Sequence, residues 1–125
     1  MAYVKDVMTR EIEAIEPRRT ALEAARRMAE RGIDALVVAE AGHLLGLVTQ
    51  ADIVRAVAAG RDPASTAVAE IMLPEVLFCH DDQTTDEVAA KMRASRVRLL
   101  PVLSRDKTII GMICEDDLDP AAPPG

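Results

Sequence analysis

Apolar and polar positions along the chain alternate between a helical period and a strand period, and the switch points mark off short elements. Val4 to Met8 reads as an apolar-faced turn of helix, followed by a brief strand near Glu13 to Ile15 that Pro17 ends. Thr20-Ala21-Leu22-Glu23 then has capping-box spacing, in which hydroxyl and carboxylate satisfy backbone donors of a first helical turn. Leu22, Ala25, Met28 and Ala29 recur on one face of that helix, Arg26, Arg27, Glu30 and Arg31 lie away from it, and Gly32 suits its end. Ala35-Leu36-Val37-Val38-Ala39 is too short and too continuously apolar for a surface helix, so it reads as a buried strand. Ala41-Gly42-His43 makes a tight connection to a second strand, Leu44 to Val48. Thr49-Gln50-Ala51-Asp52 opens another helix as a second capping box, with Ile53, Val54, Val57 and Ala58 as its apolar side, and Gly60 stops it.

The same order then returns. Val4 to Met8 matches Val68 to Met72, and Thr20 to Glu23 with Met28 match Thr84 to Glu87 with Met92, at an offset of 64 residues. One extra residue in the second hairpin shifts the offset to 65, so that Gly46 and Asp52 match Gly111 and Asp117. The second copy predicts a strand near Val76 to Cys79, a helix from Thr84 to about Ser95, and strands at Leu99 to Leu103 and Thr108 to Cys114. Its closing helix is missing or vestigial, because Asp117-Leu118-Asp119-Pro120 meets a proline within one turn.

Each copy is thus strand, helix, strand, strand, helix, a unit that leaves one sheet face bare. The fold expected is α/β (α+β), with two β-α-β-β-α motifs related by a pseudo-two-fold axis and packed sheet to sheet, the second with a truncated final helix. A crevice between them is the natural ligand site. The division falls at residues 1–62 and 63–125, across a linker running from Arg61-Asp62-Pro63 to about Thr66.

Composition narrows the function. At 125 residues, neither half can bury an adequate core alone. Half the residues are hydrophobic but 2% are aromatic, so the core must be built from Ala, Val, Ile, Leu and Met. The net charge is −6, with 9 Lys/Arg against 10 Asp/Glu in residues 1–62 and 6 against 11 in residues 63–125. No basic stripe is available to neutralise phosphates, which excludes nucleic-acid binding of that kind. No apolar run approaches the roughly 18 residues of a membrane span, and the N-terminus lacks a signal-like apolar region, so a cytoplasmic protein with no membrane partner is expected. Cys79 and Cys114 read as small buried hydrophobes kept reduced in the cytosol. Cys79 and His80 cannot form a nucleophile–base pair, since neighbours on a strand face opposite ways. With no third ligand near His43 or His80 at metal spacing, neither a zinc site nor catalysis is expected, and the chain reads as a non-enzyme.

What chemistry remains gathers at Gly46-Leu47-Val48-Thr49-Gln50-Ala51-Asp52, where a strand runs directly into a capped helix whose N-terminal donors suit an anion. The later copy, Gly111-Met112-Ile113-Cys114-Glu115-Asp116-Asp117, has a thiol in place of Thr49 and a crowd of carboxylates. The same Thr-x-x-Asp spacing is also fully explained as a helix cap.

The VxxxM turn at each start, the apolar strand before each hairpin (most typically Val97-Arg98-Leu99-Leu100-Pro101-Val102) and the two Gly-apolar-apolar-x-x-x-Asp segments together resemble a pair of cystathionine-β-synthase (CBS) domains, or Bateman module, from about Val4 to Leu118. The linker from Gly60-Arg61-Asp62-Pro63 to Ala67-Val68-Ala69-Glu70-Ile71-Met72 is similar to that of small bacterial stand-alone CBS-pair proteins. That resemblance implies a regulatory module that binds an adenosyl ligand (AMP, ADP, ATP or S-adenosylmethionine), shifts conformation on binding, forms a homodimer and acts on an unidentified protein target. It also implies that Asp52 holds the ribose hydroxyls, that Thr49 with the helix N-terminus holds phosphate, and that Ile33, Asp34, Ala35 and Leu36 line the adenine slot. Arg55, one turn beyond Asp52, either reaches a phosphate or lies on a solvated face. The counterparts in the second copy are Asp117 with Val97, Arg98, Leu99 and Pro101, where the crowded carboxylates predict an empty site or an uncharged or cationic adenosyl group. Two other readings stand beside this one: a structural or dimerisation module with an unoccupied cleft, and a thiol-based redox sensor acting through Cys79 or Cys114.

Overall fold

The computed structural model describes residues 2–74 and 76–118. The expected stop at Asp119-Pro120 lies outside them. The chain forms two compact units, each built on a three-stranded sheet.

The first unit is Glu13–Val76. Its elements are β1 (Ala14–Ile15), α2 (Ala21–Arg31), β2 (Ala35–Glu40), β3 (His43–Thr49) and α3 (Gln50–Ala58), with a 3-10 turn at Val68–Glu70; α1 (Val4–Val7) precedes them in the chain and belongs to the other unit. β2 is central, parallel to β1 and antiparallel to β3. Leu36, Val37 and Val38 are all buried, as a strand covered on both faces requires. The hairpin turns through Ala41 and Gly42, both at positive φ, so β3 starts at His43, one residue before the expected Leu44. Thr20 caps α2 by accepting from the Glu23 amide, and Gly32 ends it in the left-handed conformation.

The core of this unit joins Ile15, Ala21, Ala24, Met28, Leu36, Val38, Val48, Ile53 and Val68. Full burial of each large aliphatic side chain contributes about 1.5–3 kcal/mol. Two helix faces differ from expectation. In α2 the buried positions are Ala21, Ala24 and Met28, while Ala29 is exposed. In α3 they are Asp52, Ile53 and Ala56, which leaves Val54 at 60% and Val57 at 50% exposure.

The second unit joins Met1–Ile12 with Leu77–Gly125. It contains α1, β4 (Cys79–His80), α4 (Thr85–Ser95), β5 (Leu99–Leu103), β6 (Ile109–Cys114) and α5, described over Glu115–Leu118. β4 and β6 begin later than the sequence pattern suggested, since pairing with β5 starts at Cys79↔Val102 and ends at Leu103↔Ile109. Val4 from α1 is buried in its core with Cys79, Val88, Met92, Leu100, Val102, Ile113 and Leu118. The division at residue 62 follows the repeat in sequence, whereas the compact units exchange their leading segments: residues 1–12 pack with the later copy, and the 3-10 turn after the linker packs with the earlier one.

Candidate functional site

The junction of β3 and α3 has no loop. Thr49 closes the strand with extended backbone (φ −115°, ψ 163°) and Gln50 is already helical, so Thr49 is the N-cap. Its hydroxyl accepts from the Asp52 amide at 3.2 Å and donates to Asp52 Oδ2 at 2.9 Å, and the Thr49 amide donates to the same Oδ2 at 2.9 Å. The capping box read from the spacing is therefore closed in both directions. Asp52 Oδ1 accepts from an Arg55 guanidinium nitrogen at 2.5 Å; the Asp52 side chain is 4% exposed and that of Arg55 70%.

The proposed adenine-slot residues lie against this junction. Ala35 is the register partner of Thr49, and the Gln50 amide donates to the Asp34 carbonyl at 2.9 Å. Asp34 is exposed and Ile33 and Ala35 are half-buried, but the Leu36 side chain is committed to the core beside Ile15 and Met28. The Gln50–Asp34 bond joins residues distant in sequence and had no signal in the spacing. It draws Asp34, Ala35, Thr49, Asp52 and Arg55 into one locality.

The matching junction in the second unit keeps the backbone scheme and loses the chemistry. The Glu115 amide donates to the Arg98 carbonyl at 2.8 Å, and the Cys114 amide donates to Asp117 Oδ2 at 3.0 Å. Asp117 is exposed, and Arg98 pairs with Glu115 at 3.3 Å. Leu99 pairs with Cys114 across the sheet; Val97 and Leu99 are half-buried and Pro101 is buried. A pocket of about 390 Å³ beside this junction is lined by Met92, Arg93, Arg98, Glu115, Asp116 and Leu118.

The cysteines differ. Cys79 is fully buried with its thiol directed at the Pro101 carbonyl; burial pushes that thiol up to about 11, against an opposing pull from Lys91. This is the reverse of the lowered pKa a reactive thiol needs. Cys114 is exposed, which corrects the expectation that both would be buried: it ends β6 and faces away from the core. His80 is tied through Nδ1 to the Leu103 carbonyl at 3.2 Å. Among the described residues no group of three or more His, Cys, Asp or Glu is placed to hold a metal ion, and no helix is long and apolar enough to cross a membrane.

Residues 4–59 and 68–121 each match the family described as CBS domain. The CBS domain-containing protein YhcV of Bacillus subtilis is 32% identical over 119 residues, covering 94% of this chain and 84% of that protein. A homoserine O-acetyltransferase of Methanosphaerula palustris is 35% identical over 92% of this chain, but the chain spans only 23% of that enzyme. Among solved structures, the CBS domain pair of protein MJ0100, in complex with 5′-methylthioadenosine and S-adenosyl-L-methionine, superposes with a TM-score of 0.82 at 26% identity, covering 94% of this chain and 93% of that one. With both copies matched and the pair fold reproduced, this chain belongs to the CBS-domain family, as a tandem pair.

Proposed function

We propose that the chain is a non-catalytic regulatory module that binds an adenosyl ligand at the β3–α3 junction and responds by a shift of conformation. The observation that carries this reading is the contrast between the two junctions. Asp52 is buried beside Thr49 at the start of α3, whereas Asp117 is exposed among other carboxylates. The relatedness to the MJ0100 pair, solved with two adenosyl compounds, supports the ligand class. AMP, ADP, ATP and S-adenosylmethionine are the candidates. Asp52 takes the ribose, and Ile33, Asp34 and Ala35 flank the base. A ligand that binds one conformation better than another shifts the population offered to a protein target.

We also assign a homodimer in the cytoplasm. Exposed Val54 lines a groove of about 350 Å³ with Ala25, Met28, Ala29, Ile33, Gln50 and Ile53, and Val57 is exposed on the same helix, an apolar face that a second copy would cover.

The test is a thermal-shift and calorimetric screen of the full chain with AMP, ADP, ATP, S-adenosylmethionine and adenosine. A ligand present at about 100 times its dissociation constant should add roughly 2.7 kcal/mol. The shift should vanish in Asp52→Asn, which keeps an oxygen for the Thr49 amide but lacks the second carboxylate acceptor. No shift with any compound favours the second reading, a purely structural pair. The closure of the Thr49–Asp52 box on itself favours that reading.

A further inference from the structure

Counting acceptors at Asp52 leads beyond the ligand class, and it rests on the reading that an adenosyl ligand binds at this junction. A carboxylate offers about four lone-pair positions. Thr49 occupies both on Oδ2 through its amide and its hydroxyl, and Arg55 occupies one on Oδ1. A ribose diol brings two donors to a single remaining position. The ligand therefore displaces a partner, and Arg55 is the one that can leave: its side chain is 70% exposed on a flexible stem, whereas Thr49 is fixed by the strand.

The helix start has little to offer an incoming anion. Its amides at Thr49, Gln50 and Asp52 already donate to Asp52 Oδ2, the Asp34 carbonyl and Thr49 Oγ1, which leaves the uncharged Ala51 amide as the first-turn donor. Favourable charge for a phosphate must then come from a side chain, and the nearest cation is the guanidinium that Asp52 would release. Guanidinium and phosphate match in a two-point, charge-assisted geometry.

We propose that Arg55 is the specificity-determining residue of this site: it closes Asp52 against uncharged and cationic adenosyl ligands and yields it to a phosphorylated one. With a phosphate present, Arg55 exchanges one anion for another while Oδ1 turns to the ribose. An adenosyl thioether gives the guanidinium nothing in return, and a sulfonium adds a second positive charge beside it.

Titration calorimetry on the full chain with AMP, 5′-methylthioadenosine and S-adenosylmethionine, for wild type, Arg55→Ala and Arg55→Lys, decides the matter. Wild type should prefer AMP over 5′-methylthioadenosine by about tenfold or more, the scale of one charge-assisted contact. Arg55→Ala should collapse that ratio by weakening AMP and tightening the thioether, and Arg55→Lys should retain part of it. Because Arg55 is exposed and Ala is a good helix former, an unchanged melting temperature without ligand will show the fold is intact. An unaltered ratio in Arg55→Ala, or equal weakening of all three ligands, overturns the role of Arg55 and leaves the site standing. Absence of binding by wild type to all three overturns the site itself, and this inference with it.

Discussion

A β-carbon on Gly46 would stand 2.6 Å from the carbonyl oxygen of Leu73. Leu73 exchanges two backbone hydrogen bonds with Leu47, at 3.0 and 2.8 Å, and so pairs with the outer side of β3. Gly111 stands in the same relation to Thr9, 2.6 Å from its carbonyl, and Thr9 exchanges two bonds of 2.9 Å with Met112. The recurring glycine of the repeat is thus where a crossing segment must touch the sheet edge, and the sulfurs of Met72 and Met8 complete each contact at 2.7 and 2.9 Å. Gly46→Ala and Gly111→Ala should each lower stability by about 1–3 kcal/mol, because backbone rather than a mobile side-chain tip must give way. Urea unfolding of the two variants checks this; an unchanged midpoint for either would mean the crossing segment moves aside at no cost.

The N-cap at Thr49 can be separated from any ligand role by stability alone. Thr49→Ala removes the acceptor of the Asp52 amide and the hydroxyl donated to Oδ2, and should cost about 1 kcal/mol in ligand-free protein. Thr49→Ser keeps both contacts and should stay within a few tenths of a kcal/mol of wild type, as N-cap scales place Ser level with or above Thr. Equal losses in the two variants would trace the effect to the threonine methyl group instead of the cap.

Legibility in the sequence followed the range of the interaction. Caps depend on residues three apart, so the N-cap at Thr20 and the box at Thr49–Asp52 are legible from spacing, although the Glu23 carboxylate pairs with Arg19 and leaves the first cap one-sided, and the Leu36-Val37-Val38 run marks a strand buried on both faces. The inward stripe of α3 departs from the apolar pattern, since Val54 and Val57 are more apolar than Asp52 and Ala56 yet lie exposed. The closed capping box instead sets the helix rotation and turns Asp52 and Ala56 inward. Pairings such as Thr9 with Met112 and Gln50 with Asp34 join distant segments, and no local pattern signals them. Arg55 stands three residues from Asp52, as near as a cap partner, but that spacing fits a solvated helix face equally well, so its hold on Oδ1 is not legible from position alone.

Burial of Cys79 makes stability depend on alkaline pH. The folded thiol ionises near 11 against a usual value of 9.0, with burial the larger cause, so between those values the folded state binds more protons than the unfolded chain. Stability is therefore level below pH 9, with respect to this group, and falls as pH rises toward 11, by about 2 kcal/mol in total. Tyrosine and lysine titrate in the same range, so the measurement is the difference between wild type and Cys79→Ala in denaturant midpoint against pH. A constant difference across the window would show that the thiol ionises as readily in the folded protein as in the unfolded chain.

The two long helices end alike in backbone and unlike in residue. Gly32 caps α2 at φ 66°, and Arg96 caps α4 at φ 56°. In that left-handed region a β-carbon crowds the following carbonyl, a strain of roughly 1 kcal/mol that glycine escapes. Arg96→Gly removes the strain but also loosens the unfolded chain, an opposing effect of about 0.4–1 kcal/mol, so the net gain should be at most about 1 kcal/mol. Gly32→Ala combines the strain with a stiffer unfolded chain and should cost less than Gly46→Ala, since no atom lies within 4 Å of the added carbon. Thermal melts of the three variants should therefore rank Arg96→Gly at or above wild type, Gly32→Ala below it and Gly46→Ala lowest. If Gly32→Ala fell furthest, the helix end would outweigh the sheet-edge contact in holding the first unit together.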